Sequence, residues 1–477
     1  MNRASPALPV LPSSLTLFRI TLFALLVAFG AATSSHGWAQ GSPQKPRAAE
    51  SPAKPKAGKA HREAKEARDS KATKATRDSK EPRISKAAPA GKVAPREKTE
   101  RLPASTAAAG RSPSAESMLN EVFDEIGQRR FDTALQHIDR LLAAHPNFRL
   151  AHLIKGDLLL ARTRPLSDMG AAPKAPADRL QDLRAEAIAR LRAYRDKPEA
   201  GLLPRYVMQM TPEQQFVLVV DTTRARLYVY SNENGRPRFV TDYYVSSGKQ
   251  GSLKTREGDL KTPIGVYHVT SSLPQKKLPD FYGSGAFPIN YPNTWDKRLG
   301  RNGHGIWLHG TPSDTFSRPP RASDGCVVLS NTDLDAMAKH VQIGLTPVII
   351  SDQVEWVSEA SWTAERQAFM KQFEQWRTDW ESLDTESFLQ NYSRKFNSGD
   401  QDFDGFARNK RQVNTSKQWI KVGLNRISMF RNPGKEDLVT VTFDQDYRSS
   451  NLSNVMKKRQ YWAREGNRWR IVYEGPA

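Results

Sequence analysis

Residues 41–113 limit most strongly how this 477-residue chain can fold. In runs such as SPAKPKAGKAHREAKEARDSKATKATRDSK, alanine, lysine, proline and serine succeed one another with almost no large apolar side chain. Such a segment has too little apolar surface to offset the entropy lost on ordering, so residues 40–113 are expected to form a disordered basic linker. Any packed core must therefore be built from residues 114–477. The stretch 41–113 carries 19 Lys and Arg against 8 Asp and Glu, which is +11 of the chain's net +21. A solvated spacer is the plain reading of such a run, and an anionic partner is the functional one.

The first 39 residues bear on which partner that is. Arg3 and Arg19 precede the apolar run Ile20–Ala32, and Gly37-Trp38-Ala39 offers small residues for cleavage before Gln40. An apolar run of this length is short against the roughly 20 residues of a membrane span, so residues 1–39 are expected to be a cleaved signal peptide, with an uncleaved anchor as the alternative. The mature chain is then expected in the periplasm, where an anionic envelope surface is available to the linker and nucleic acid is not. Cys326 is the single cysteine. It has no partner for an internal disulfide, which leaves a buried thiol or a used one.

Beyond the linker the pattern of apolar residues divides the chain. Met118, Val122 and Ile126 recur at helical spacing, as do Phe131, Leu135, Ile138 and Leu142, and Pro146 is expected to end the second helix. A third stripe runs from Phe148 through Leu153 to Leu160. Residues 114–205 are thus expected to be an α-helical module with one tetratricopeptide-like hairpin, serving as a packing unit or as a surface for a homo-oligomer or protein partner. From about Gln214 the runs FVLVVD, ARLYVYS, RFVTDYYVS and GVYHVTS alternate with turn signals such as Asn234-Gly235, which predicts a β-rich domain over 214–352. A Trp-rich linker helix is expected over 353–375. Residues 376–477 show a helix followed by four strand-like runs, an α+β arrangement.

Reactive side chains gather in one region, GIWLHGTPS (305–313) followed by RASDGCVVLS (321–330). His309 ends one apolar run and Cys326 opens another. A thiol attacks as its thiolate and needs a neighbouring base, which an imidazole supplies. The small residues Gly310 and Gly325 allow close backbone approach, and the N–H groups near Gly325 and Cys326 offer an oxyanion hole. Taken alone, a cysteine before Val-Val-Leu reads equally well as a small core residue. The nine histidines show no metal-binding spacing, so no metal or other cofactor is expected.

These blocks resemble the L,D-transpeptidase (YkuD-like) catalytic domain. VVDTTRARLYVY, VSSGKQG, EGDLKTPIGVYHV, the His-Gly at 309–310 and SDGCVVL at 323–329 succeed one another in the family's order, and INYPNTWD adds a stretch seen in one subgroup. The resemblance implies Cys326 as nucleophile, His309 as general acid/base held by a backbone carbonyl, and Ser323, Gly325 and Gly310 as shapers of the turn and oxyanion region. Asp324, Arg321, Tyr291 and Asn293 become candidates for substrate contact. Asp324 stands where the family often has His, and Val328 where it often has Arg or Asn. The lost donor at 328 leaves Arg321, Lys261 or Arg318 to meet a substrate carboxylate. The region 376–477 resembles a nuclear transport factor 2-like domain, and Trp376, Trp380, Tyr392, Trp419, Tyr461 and Trp469 are expected to line either its core or a pocket.

The implied substrate is a peptidoglycan stem peptide, cleaved after its third residue through a thioester with loss of terminal D-Ala. An amine acceptor makes the protein a transpeptidase, and water makes it an L,D-carboxypeptidase of the kind that sets cell shape. A wall-binding scaffold without catalysis is the reading from another class.

Overall fold

The computed structural model describes residues 113–171, 176–399 and 401–477. The expected signal peptide and, Pro113 apart, the expected linker lie outside the described residues. Four helices come first: Ala115–Gly127, Phe131–Ala144, Arg149–Ala161 and Ala177–Arg195. Ser114 caps the first by accepting from Ser117 N, and the second stops at His145, ahead of Pro146. Leu119, Val122, Ile138, Leu141, Ile154 and Leu158 meet in one core. The fourth helix behaves differently, because its fully buried positions are Glu186, Ala187 and Arg190. Its inner face is held by charge pairing, with Arg190 bonded to Glu186 at 2.9 Å and to Glu116 of the first helix.

The β-rich region is built on a five-stranded sheet in the order Arg236–Tyr244, Arg226–Glu233, Phe216–Asp221, Pro347–Ser351, Gly265–His268. The strands Phe216–Asp221 and Pro347–Ser351 run parallel and are covered on both faces, which is why they read as unbroken apolar runs. Alternation along FVLVVD sends Leu218 and Val220 into one core and Val217 and Val219 into another. Asn234 and Gly235, with φ of +55° and +88°, form the two-residue hairpin turn that their sequence predicts. The core under Leu218 and Val220 is closed by a second sheet in the order Val327–Val328, Trp307–His309, Gly285–Pro288, Leu273–Pro274.

The C-terminal region is a five-stranded antiparallel sheet wrapped on helices, with an aromatic core. Its first strand is Val207–Gln209, a segment that the sequence pattern assigns to neither of the flanking domains. It pairs with Ile420–Arg431, and Trp362 Nε1 donates to Val207 O at 2.7 Å. The boundary expected at 375/376 falls inside one continuous helix, Glu359–Glu381, which buries Trp362, Phe369, Phe373, Trp376 and Trp380. Of the six aromatics proposed as a pocket lining, Trp376, Trp380, Tyr392, Tyr461 and Trp469 are buried in side-chain packing and Trp419 is exposed. The first five are core because their rings pack on one another or on neighbouring aromatics. No helix among the described residues is long and apolar enough to cross a membrane.

Candidate active site

The register of two short parallel strands sets the site. Leu308 lies opposite Val327 and His309 opposite Val328, so Cys326, one residue earlier, falls on the face of the sheet that His309 occupies. His309 is buried and Cys326 half-buried. Nδ1 of His309 lies 2.7 Å from Gly310 O, so this nitrogen donates to a carbonyl and Nε2 is left as the acceptor. Burial drives the imidazole down to about 4, against a smaller upward pull from the Gly310 bond and with the charge of Arg318 adding to the fall. Burial also pushes the Cys326 thiol up, only partly opposed by the Trp307 backbone bond and the charges of Arg318 and Lys254. At neutral pH the two groups are therefore a neutral imidazole and a neutral thiol, and Cys326 Sγ donates to Gly305 O at 3.4 Å.

The turn before Cys326 is tightly specified. Gly325 has φ of +128°, and a Cβ there would stand 2.7 Å from Lys261 O. Ser323 Oγ donates to Cys326 O at 2.6 Å and accepts from Gly325 N at 3.2 Å. The Gly325 N–H is thus consumed within the turn, contrary to the expectation that it serves an oxyanion hole. Thr262 Oγ1 donates to Gly325 O at 3.0 Å. Asp259 is pushed up by burial but held down to about 2 by the Lys254 ammonium and three backbone N–H groups, which makes it a knot beneath the turn. Around His309 stand Tyr282, whose ring centroid is 5.1 Å away, and Phe281 at 5.9 Å.

The structure brings Cys326, His309, Gly310, Ser323 and Gly325 together. Two candidates for substrate contact it turns elsewhere. Tyr291 is buried in the core, its ring edge-on to Tyr267 and its hydroxyl donating to Asn302 O at 3.0 Å. Asn293 caps the short helix Thr294–Arg298 in a reciprocal capping box with Asp296, and its amide also donates to Val266 O, so its polar groups are spent on the fold. Asp324 is exposed and paired with Lys249 at 2.9 Å, and Arg321 is exposed. Asn331, which no sequence motif singles out, is central. Its Oδ1 accepts from Ser284 N at 3.0 Å and Thr311 N at 3.1 Å, and its Nδ2 donates to Thr311 O at 2.9 Å. A Cβ on Gly310 would meet that oxygen at 2.1 Å, so Gly310 is small because Asn331 fills the space beneath it. The position of Asn331, five residues after the cysteine, carries no chemical signal of its own. Among the described residues no cluster of three or more His, Cys, Asp or Glu is arranged to hold a metal ion.

Comparison with known proteins agrees with this geometry. The chain matches the L,D-transpeptidase catalytic domain (YkuD) over residues 215–350 and the Cds6 C-terminal NTF2-like domain over residues 368–475. Among solved structures it is similar to Bd1075 of Bdellovibrio bacteriovorus, with 30% identity and a TM-score of 0.52, over 58% of this chain and 98% of that one. The helical cell shape determining protein Pgp2 of Campylobacter jejuni is 26% identical, with a TM-score of 0.49, over 57% of this chain and 95% of that one. No protein in a curated set matches. A β-rich domain with its cysteine and histidine on adjacent strand ends, followed by an NTF2-like domain, together with a relative aligned over nearly its whole length, places this chain in the L,D-transpeptidase family.

Proposed function

We propose that the protein is an exported cysteine acyltransferase acting on peptidoglycan tetrapeptide stems. The observation that carries the reading is the pairing of Cys326 with a His309 whose Nδ1 is occupied by Gly310 O, leaving Nε2 as the base on the same face. In the first step the Cys326 proton passes to Nε2 as sulfur attacks the carbonyl carbon of the third stem residue. The Cys326 N–H, which outside the strand ladder donates to nothing among the described residues, is the backbone donor at the developing oxyanion. The C–N bond then breaks, the proton moves from Nε2 to the departing D-Ala amine, and a thioester remains. An incoming amine or water gives up a proton to Nε2 as it attacks the thioester carbonyl; the C–S bond then breaks and Nε2 returns the proton to Sγ, restoring the neutral thiol and imidazole.

The neutral pair suits this cycle, because the proton leaves sulfur only when a substrate carbonyl is present to take the electron pair. The signal peptide at 1–39, the periplasmic location, the basic linker on an anionic envelope surface and a protein-docking role for the helical module belong to the same proposal. Purified protein and a Cys326→Ala control, incubated with tetrapeptide muropeptides and followed by mass spectrometry, test it. Tripeptide as the sole product identifies water as acceptor, and 3–3 linked dimers identify an amine. Identical profiles for the two proteins would refute the enzyme reading and leave the wall-binding scaffold.

A further inference from the structure

We propose that Arg318 is the receptor for the free C-terminal carboxylate of the substrate, so that the site selects peptides ending one residue beyond the scissile bond. This rests on the acyl-transfer reading above and adds a cation for the leaving residue. Val328, two positions after the nucleophile, is a buried apolar side chain and supplies none.

Arg318 lies in the loop joining the histidine strand to the strand Arg321–Ser323. Its guanidinium carbon sits 4.7 Å from the centroid of the Phe281 ring, and that ring is the one beside His309. The cation is therefore one aromatic ring away from the catalytic imidazole, on a platform that fixes its plane. It is half-buried, yet among the described residues it forms no ion pair. Other arginines of the domain do: Arg226 pairs with Asp242 and Glu116, and Arg301 with Asp296. Asp324, whose charge reaches Arg318, makes its ion pair with Lys249 instead. Arg321, the neighbouring cation, is exposed, where solvent and salt screen it.

The loop is held in place both from within the catalytic domain and from the helical module. Arg318 O accepts from Tyr244 OH at 2.9 Å, and Ser317 Oγ donates to Glu186 of the fourth helix at 2.6 Å. Phe316 packs its ring 4.4 Å from Phe148 and 4.8 Å from His145, in the core of the helical module. A cation that no carboxylate contacts, though the charge of Asp324 reaches it, partly removed from water and fixed through Phe316, Ser317 and its own carbonyl, is arranged for an anion that arrives with the substrate. In a tetrapeptide that anion comes one residue after the scissile carbonyl, about 3.5 Å of chain.

The test compares a tetrapeptide ending in a free carboxylate with the same peptide amidated at its C-terminus. Binding is measured in Cys326→Ala protein, with and without Arg318→Gln. The expected result is that Cys326→Ala binds the acid at least about tenfold more tightly than the amide and that Arg318→Gln erases the difference. Equal binding of the two peptides by Cys326→Ala, or a preference that survives Arg318→Gln, would overturn the assignment. Should the glutamine variant not fold, the uncharged Arg318→Met replaces it: loss of the preference supports the assignment and an unchanged preference overturns it. Turnover by the protein with Cys326 intact is measured separately. If neither peptide is consumed, acyl transfer fails as a reading, while the binding preference still decides Arg318.

Discussion

Replacing Asn331 with alanine tests whether the turn after His309 is built from beneath. The substitution removes two bonds accepted from the Ser284 and Thr311 N–H groups and one donated to Thr311 O. Each such bond contributes about 1 kcal/mol net, and because Asn331 is only half-buried water relieves part of the loss, so a cost of about 2 kcal/mol is expected. For a domain of this size that corresponds to a fall of about 5 °C in the Tm of the catalytic domain. The catalytic effect is expected to be larger in proportion. Gly310 O, which holds the imidazole at 2.7 Å, belongs to the same turn, and a displacement of about 1 Å in a catalytic group costs up to about a hundredfold. Calorimetry and kcat/KM on a tetrapeptide stem are the assays, with a drop of roughly 10- to 100-fold expected on the same physical ground. Asn331→Asp keeps both accepted bonds and is expected to fall between the two. A lowered Tm with unchanged kcat/KM would refute the link from Asn331 to the imidazole, and no change in either would refute the role of the amide altogether.

Three further outcomes rest on the same geometry. Because burial holds His309 near 4 while the unfolded imidazole titrates near 6.5, the unfolded chain binds the extra proton between these values. Stability is therefore expected to fall as pH drops through that window, by about 3 kcal/mol across it, and His309→Asn to flatten the slope in urea titrations; equal slopes in both proteins would contradict the account. Gly325→Ala places a Cβ 2.7 Å from Lys261 O on a backbone with φ of +128°, and is expected to cost about 2–3 kcal/mol and to abolish thioester formation by mass spectrometry. Trp362→Phe removes the buried bond to Val207 O and is expected to lower stability by about 1 kcal/mol, with an unaltered denaturation midpoint counting against the stitched sheet.

Much of the fold was legible because its signals are local. The alternation in FVLVVD, the Asn234-Gly235 turn and the helical spacing of Val122, Leu135 and Ile138 act over a few residues and survive in any context, whereas Phe131 of the same stripe is exposed. The fourth helix was harder to read in detail, since Glu186 and Arg190 look like solvent residues until Glu116 and Ser317 are brought to them. The same holds for Tyr291 and Asn293, which resemble site residues by motif. Nothing in their own stretch shows that a carbonyl at Asn302 or Val266 waits for them.

By itself the sequence determined that one imidazole would end an apolar run and the single thiol would open another, because Gly-flanked run ends and a lone cysteine are properties of a few adjacent residues; that the two strands pair was decided by the fold. Only the tertiary structure decided which backbone N–H remains free at Cys326, which asparagine holds the turn after the histidine, and which arginine forms no ion pair beside the site. It also decided that Val207–Gln209 would cross to the C-terminal sheet. Each of these depends on a partner distant along the chain or on a competition for hydrogen bonds and counter-charges, and such contacts are settled only when the packed chain has shared them out.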